Sequence, residues 1–444
     1  MNEPHGWHST DGTGAGGDAA DGRYVSPVPI ARGPRHAVPS RRGRSPWSRG
    51  RDRAIAALLT VAWLAAGALV WTFSDSRATT QETAPPGPAL PAAPEQVPAT
   101  LTEAWRAPSE ATPVPVAEGN AVVTGADGEV AGRDPLSGDV RWRYARDLEL
   151  CTVAGAWSKV LAVYTKGTGC SEVTQLDPDT GARTAQRNGD AELGTRLVVG
   201  ESHVTTTGER LLNTWRDDLV RSMEYGEVYA KVNPGKQPRT GCAYRSVAAA
   251  TGKVGVVERC PGERADRLTV LKAAPENSDE PEEEFSTLLP ERTGQLVALA
   301  GDVAAVALPE RGQLVVYGPR GEQRATYPLD VPEEELAAVP PGRVVPTARG
   351  EDTVFWFTGS RTIALSATDL APQWTLQDTL GPGTLYAGQV VVPIEGGLAV
   401  LDERTGGLVR TVSVDRGGYR GEIGTASAGP VLLEQRGGTL VALR

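Results

Sequence analysis

The sequence predicts an all-β body, an eight-bladed β-propeller with seven blades as the alternative, preceded by a polar tail and one transmembrane helix. Three observations carry this. Short apolar runs separated by an Asp-x-x-(Ser/Thr)-Gly turn recur at about 45 residues, the period of a four-stranded propeller blade. One uncharged apolar run, 54–73, is long enough to cross a bilayer. The start of the body also repeats the strand that its last unit lacks, which is how a ring of blades removes a free sheet edge.

The tail, 1–53, is polar, rich in Gly, Pro and Arg, and without apolar periodicity. It is expected to be disordered and cytoplasmic. Gly12, Gly14 and Gly17 spell G-x-G-x-x-G, but no strand precedes them and no helix follows, so the dinucleotide-binding reading fails its context. The run 54–73, AIAALLTVAWLAAGALVWTF, spans roughly 30 Å as a helix. Arg41, Arg42, Arg44, Arg49, Arg51 and Arg53 lie just before it, which places the N-terminus inside and the body outside the cell membrane. The run is long for a signal peptide, and Ser76-Arg77-Ala78 is a poor cleavage site, so an uncleaved single-pass anchor is expected. Residues 74–99 carry Pro85, Pro86, Pro88, Pro91, Pro94 and Pro98. They are expected as an extended, semi-rigid stalk holding the body above the membrane.

The body, 100–444, shows its repeat most clearly at 129–145 (EVAGRDPLSGDVRWRYA), 173–186 (VTQLDPDTGARTAQ) and 398–412 (LAVLDERTGGLVRTV). Asp134, Asp177 and Asp402 can accept backbone N–H bonds two residues on. Gly138, Gly181 and Gly406 can take the left-handed conformation that closes the turn. Seven turn-bearing units occupy 112–414, the third of them weak. An eighth begins at Gly421 and ends in GGTLVALR without its fourth strand. LTEAWRA (101–107) resembles SGDVRWRYA (137–145), with Trp105 in the place of Trp142, and is expected to supply that strand.

Cys151, Cys170, Cys242 and Cys260 all follow the apolar run, at separations of 19 and 18. If each first cysteine opens the first strand of a unit and each second closes the next strand, both pairs form cross-strand disulfides in an exported compartment. Zinc spacing is absent.

The strand–LDxxTG–strand pattern with a following Trp resembles the PQQ-like, quinoprotein-type propeller repeat. It is carried by Asp134, Gly138 and Trp142, by 176–181, and by 401–406. The resemblance spans about 100–444, and three units match well. Enzymes of that family use PQQ with Ca²⁺, a vicinal Cys-Cys disulfide, a catalytic Asp and a stacking Trp. This chain has no adjacent cysteines, so the resemblance implies the fold without those residues, and no catalytic, cofactor or metal residue is expected. The bias of 39 Arg over 6 Lys is similar to that of high-GC bacteria, actinobacteria among them.

Charge and composition narrow the function. The formal net charge is −10, with the basic excess confined to the tail, so nucleic acid is not an expected partner. His203 is the only histidine after the tail, which leaves no multi-histidine metal site and no triad signature around a base. The acidic run 276–284 lacks EF-hand spacing and reads as a solvated loop. The expected protein is a monomeric propeller, anchored in the cytoplasmic membrane, that binds an extracytoplasmic protein or small ligand without catalysis. The alternative is a cofactor-dependent enzyme or sensor using the propeller channel, with a quinoprotein dehydrogenase the least favoured form of it.

Overall fold

Each repeat closes into a four-stranded antiparallel sheet, and the computed structural model has eight of them. It describes residues 49–72, 74, 77–229 and 233–444. The expectations for 1–48 lie outside these. The chain divides into two units, Met1–Ala68 and Leu69–Arg444.

The apolar run forms one helix, Gly50–Thr72, long and apolar enough to cross a membrane, with none of its residues buried. Within it the Thr60 hydroxyl donates to the Ala56 carbonyl at 2.9 Å, which satisfies a polar group inside an apolar stretch.

The blades follow in chain order at 116–146, 150–188, 197–226, 243–288, 295–328, 347–377, 384–413 and 423–443. In each the strands run outward from first to fourth. The middle strands are packed on both faces by neighbouring blades, so they read as continuous apolar runs: Thr353–Phe357 and Val303–Leu308 are buried throughout. The fourth strands face a neighbour on one side only and alternate, as in Gln323–Pro328.

Antiparallel order puts the first-to-second and third-to-fourth turns at one end of every blade, called here the turn end. The second-to-third turns and the crossings to the next blade lie at the other, the crossover end. The recurrent turns do at the turn end what their residues imply. Asp134 Oδ1 accepts from the Leu136 and Ser137 amides at 2.8 and 3.0 Å, and Gly138 (φ +79°) donates to the Asp134 carbonyl at 2.8 Å. Asp177 and Asp402 hold Thr180 and Thr405 in the same way, each through its amide and its hydroxyl. These bonds keep the exposed Asp402 carboxyl below the usual range.

The turn glycines have a second role. The tryptophan of each preceding fourth strand lies on the turn of the next blade. Trp105 lies over Gly138, Trp142 over Gly181 and Trp374 over Gly406. The indole N–H groups donate to the carbonyls of Pro135, Pro178 and Glu403 at 2.8, 2.7 and 2.7 Å. A Cβ on Gly138 would fall 2.6 Å from the Trp105 ring, so only glycine admits the contact. In blade 5 Phe285 covers Gly321 instead, which is why that copy of the pattern is faint.

Ring closure follows the expected route. Glu103–Pro108 pairs with Thr439–Leu443 as the fourth strand of blade 8, and Thr102 and Arg444 exchange two backbone bonds of 2.9 Å. The preceding segment departs from the stalk expectation. Thr79–Glu82 pairs with Arg143–Arg146 and adds a fifth strand to blade 1. Ala84 then donates to Thr180 O at 3.0 Å, and Leu90 donates to Asn120 Oδ1 at 3.2 Å. The Arg410 guanidinium binds the Val97 carbonyl, and Val97 is 1% exposed among Leu398, Val412 and Leu443. Proline keeps this segment extended, as its composition says. Apolar side chains, Leu90 and Val97 among them, and backbone hydrogen bonds dock it as a strap across blades 1, 2, 8 and 7 rather than leaving it in solvent.

Both disulfides are present, Cys151–Cys170 and Cys242–Cys260. Cys242 and Cys260 flank Ala243–Ala250 and Lys253–Arg259, the first two strands of blade 4, as expected. Cys170 differs. It lies in the third strand of blade 2, Gly169–Leu176, so its bond passes over the end of the second strand. A tight turn through Gly167 (φ +67°) brings that third strand back beside Cys151, which bulges from the first. Non-reducing peptide mapping is expected to recover these two links. Changing Cys151 and Cys170 together to Ser should remove about 3 kcal/mol of stability, the chain-entropy value for a loop of this length. A link such as Cys151–Cys242 would contradict the register.

Candidate functional site

The two ends of the blades carry different chemistry. The turn end holds the Asp–Gly turns and the tryptophans. It also holds His203, in the first turn of blade 3, where the ring meets the Ser202 hydroxyl at 2.7 Å; burial first, then Arg216, lowers its pKa. The crossover end holds buried ions. Arg146 and Glu172 meet at 2.8 Å with both side chains at most 1% exposed, and Lys166 reaches the same carboxylate at 3.0 Å. Glu434, fully buried, binds Arg416 at 2.8 Å and Arg436 at 2.7 Å. Arg239 joins Glu258, Tyr225 and Thr269. Each of these three acids has an arginine, so these groups rigidify the end rather than offer free charge.

The crossover end also contains the cavities that involve the channel. One of about 480 Å³ lies at the channel mouth, where the approaches to the first strands of blades 1, 2, 3 and 8 converge on Thr112, Thr152, Arg196 and Glu422. A neighbour of about 630 Å³ lies between blades 1 and 2 and shares Glu110, Ala111 and Cys151 with it. These sizes are those of small-molecule or peptide sites.

The mouth has a roof that the sequence did not announce. The connection from blade 5 to blade 6, 329–346, forms a short helix, Glu333–Ala337, and a 3₁₀ turn, Pro341–Arg343. Leu336, 2% exposed, anchors it in the core between those blades, and Glu335 accepts from the Thr358 and Ser360 hydroxyls at 3.0 and 2.8 Å. It then leans across blade 4, where Arg245 donates to Ala337 O at 2.8 Å and Arg343 to Tyr244 O at 3.0 Å. It ends over blade 3, where Gly342 (φ +59°) rests on the Arg196 stem. A connection this long inside a propeller was the one available signal.

Arg196 is half-buried in this mouth. Burial lowers its pKa, and Glu422 opposes that shift; burial raises the Glu422 acid in turn. Among the described residues the Arg196 guanidinium has no hydrogen-bond or ion-pair partner within 4 Å.

The residues singled out from sequence are therefore distributed. Asp134, Gly138, Asp177, Gly181, Asp402 and Gly406 are at the turn end, away from the mouth. Cys151 lines the mouth, and Cys170, Cys242 and Cys260 are at the crossover end without lining it. Cys242, Glu258 and Cys260 come close enough together to hold a metal ion, but their two sulfurs are bonded to each other and offer no thiolate. The acidic run 276–284 is a paired loop, with Lys272 on Glu282 at 2.6 Å and Asn233 on Asp279 at 3.0 Å.

A family model described as "Outer membrane protein assembly factor BamB" matches residues 15–230. No curated protein matches the chain. Among solved structures, BamB from Moraxella catarrhalis is 13% identical, covering 78% of this chain and 100% of that one, with a TM-score of 0.48. The computationally designed Ika8 protein is 15% identical over 80% of this chain and 99% of its own, with a TM-score of 0.51. Quinohemoprotein alcohol dehydrogenase from Comamonas testosteroni is 12% identical over 78% of this chain and 76% of its own, with a TM-score of 0.49. The family match supports a PQQ-like repeat, and the likeness to Ika8 is one of fold alone. The residues at the mouth do not fit the quinone itself. Its lining includes no tryptophan and no aspartate, Trp105, Trp142 and Trp374 lie over turns at the other end, and the cysteines pair across strands.

Proposed function

We propose that this chain is a membrane-anchored, extracytoplasmic propeller that binds a protein or small ligand at its crossover end, without catalysis. The roofed channel mouth carries the reading. It is concave, it shares lining residues with a second cavity, and it keeps a half-buried guanidinium, Arg196, without a partner among the described residues. Exposed Val114 and Leu193 stand next in sequence to residues that line it and exposed Val339 stands two before lining Pro341, and such apolar rims suit a macromolecular partner. The apolar helix Gly50–Thr72 and the two disulfides support an anchored, exported body.

The test is photo-crosslinking in cells of the full chain, with the crosslinking residue placed at Val339, Leu193 or, as a control, Arg404. Crosslinked products are expected from the first two sites and not from Arg404. They should form with a reporter at Arg444 reading extracytoplasmic. Products from Arg404 alone would overturn the assignment of the binding face.

A further inference from the structure

We infer that the two adjoining cavities at the crossover end form a dipolar groove for a short peptide or amino-acid derivative, whose carboxylate meets Arg196 and whose amine lies among acids. This rests on the proposed function and specifies its ligand.

The argument begins with Arg196. A guanidinium half out of water without a partner is costly, and a carboxylate that pairs with two of its N–H groups answers that cost directly. Its place is fixed from both sides. Its backbone amide donates to the Thr207 hydroxyl of blade 3 at 2.9 Å, and its stem is covered by Gly342 of the roof. The Thr152 hydroxyl, buried in the wall of the same cavity, also lacks a protein partner and is free to donate.

The surroundings exclude most other anions. Glu110 and Glu422 line the mouth with Arg196, and Asp127, Asp147 and Glu149 line the adjoining cavity. The only other cation there, Arg146, is held by the buried Glu172. A phosphate or polycarboxylate would meet one free cation and five acids. A purely cationic ligand would leave Arg196 unmatched. A ligand with one carboxylate and one ammonium satisfies both ends, and Ala111 and Cys151, common to the two cavities, are the wall it would cross.

Calorimetric titration of the full chain in detergent tests this with the peptide N-acetyl-Ala-Ala-Lys, whose one ammonium is the lysine side chain, its C-terminal amide, and N-acetyl-Ala-Ala-norleucine. The free acid is expected to bind at least about tenfold more tightly than the amide, because the carboxylate meets a partly desolvated cation. It should exceed the norleucine peptide by about threefold, a difference that shrinks with salt because the acids are exposed. Arg196→Met should abolish the preference for the acid over the amide. Glu149→Gln with Asp147→Asn should abolish only the preference for lysine. Both variants should melt with the parent chain. Equal binding of acid and amide, or a preference that survives Arg196→Met, overturns the inference. If no peptide binds while Val339 still crosslinks a partner, the inference fails and the docking face stands. If peptides bind as expected while crosslinks arise only from Arg404, the groove stands and the docking face fails.

Discussion

Replacing Trp105 with Ala will destabilise the body by about 3–5 kcal/mol, the cost of emptying a buried tryptophan site. The residue is 9% exposed, donates to Pro135 O at 2.8 Å, and packs on the turn glycine of blade 1 from the fourth strand of blade 8. One side chain thus closes the ring twice, by completing a sheet and by bridging two blades. A domain is commonly stable by about 5–15 kcal/mol, so this single change reaches a large fraction of the total. A chain beginning at Ser109 should lose more, because it leaves Thr439–Leu443 as an open edge and removes Val97 and Leu101 as well. A chain beginning at Thr100 should fall between that and one beginning at Arg77. Denaturant melts of the series give the order. Equal midpoints for the chains starting at Arg77 and Ser109 would mean that the ring closes without this strand.

The second large effect is expected at Glu434. Its carboxylate is fully buried and binds Arg416 through two bonds of 2.8 and 3.0 Å and Arg436 through one of 2.8 Å. The arginine side chains are 3% and 7% exposed. Glu434→Leu leaves two desolvated cations and should cost about 3–5 kcal/mol. Combining it with Arg416→Met and Arg436→Met should recover much of that loss, since the unpaired charge and not the missing bonds accounts for most of it. The Arg416 bonds to the Ile394 and Gly397 carbonyls would still be lost, so recovery stays incomplete. If the single variant melts with the parent, the cluster carries no such weight.

What the sequence made legible follows from which interactions are local. The Asp–Gly turns lie within five residues, so blades 1, 2 and 7 could be read directly. Blade 3 was faint because two of its strands, Leu197–Val199 and Val204–Thr206, are only three residues long. The strap was missed because its docking depends on a few apolar residues, Val97 above all, spread through a proline-rich stretch. The placement of Cys170 was missed because it depends on where one hairpin turns. The mouth was illegible for a different reason. Arg196 is one arginine among 39, and its isolation is a property of three blades and a roof that no local pattern encodes.

The fifth strand of blade 1 has a mechanical consequence. Tension entering from the N-terminal side reaches Thr79–Glu82 before it reaches Glu103–Pro108, because the chain order allows no other path. The strap therefore peels first and releases roughly 80 Å of slack, at about 3.4 Å per extended residue, while the ring stays shut. A pulling experiment on the tethered body should show this short, early extension as a separate step. Until that slack is used, the clasp that holds eight blades together carries no force, and the segment that looked like a spacer works as a sacrificial link.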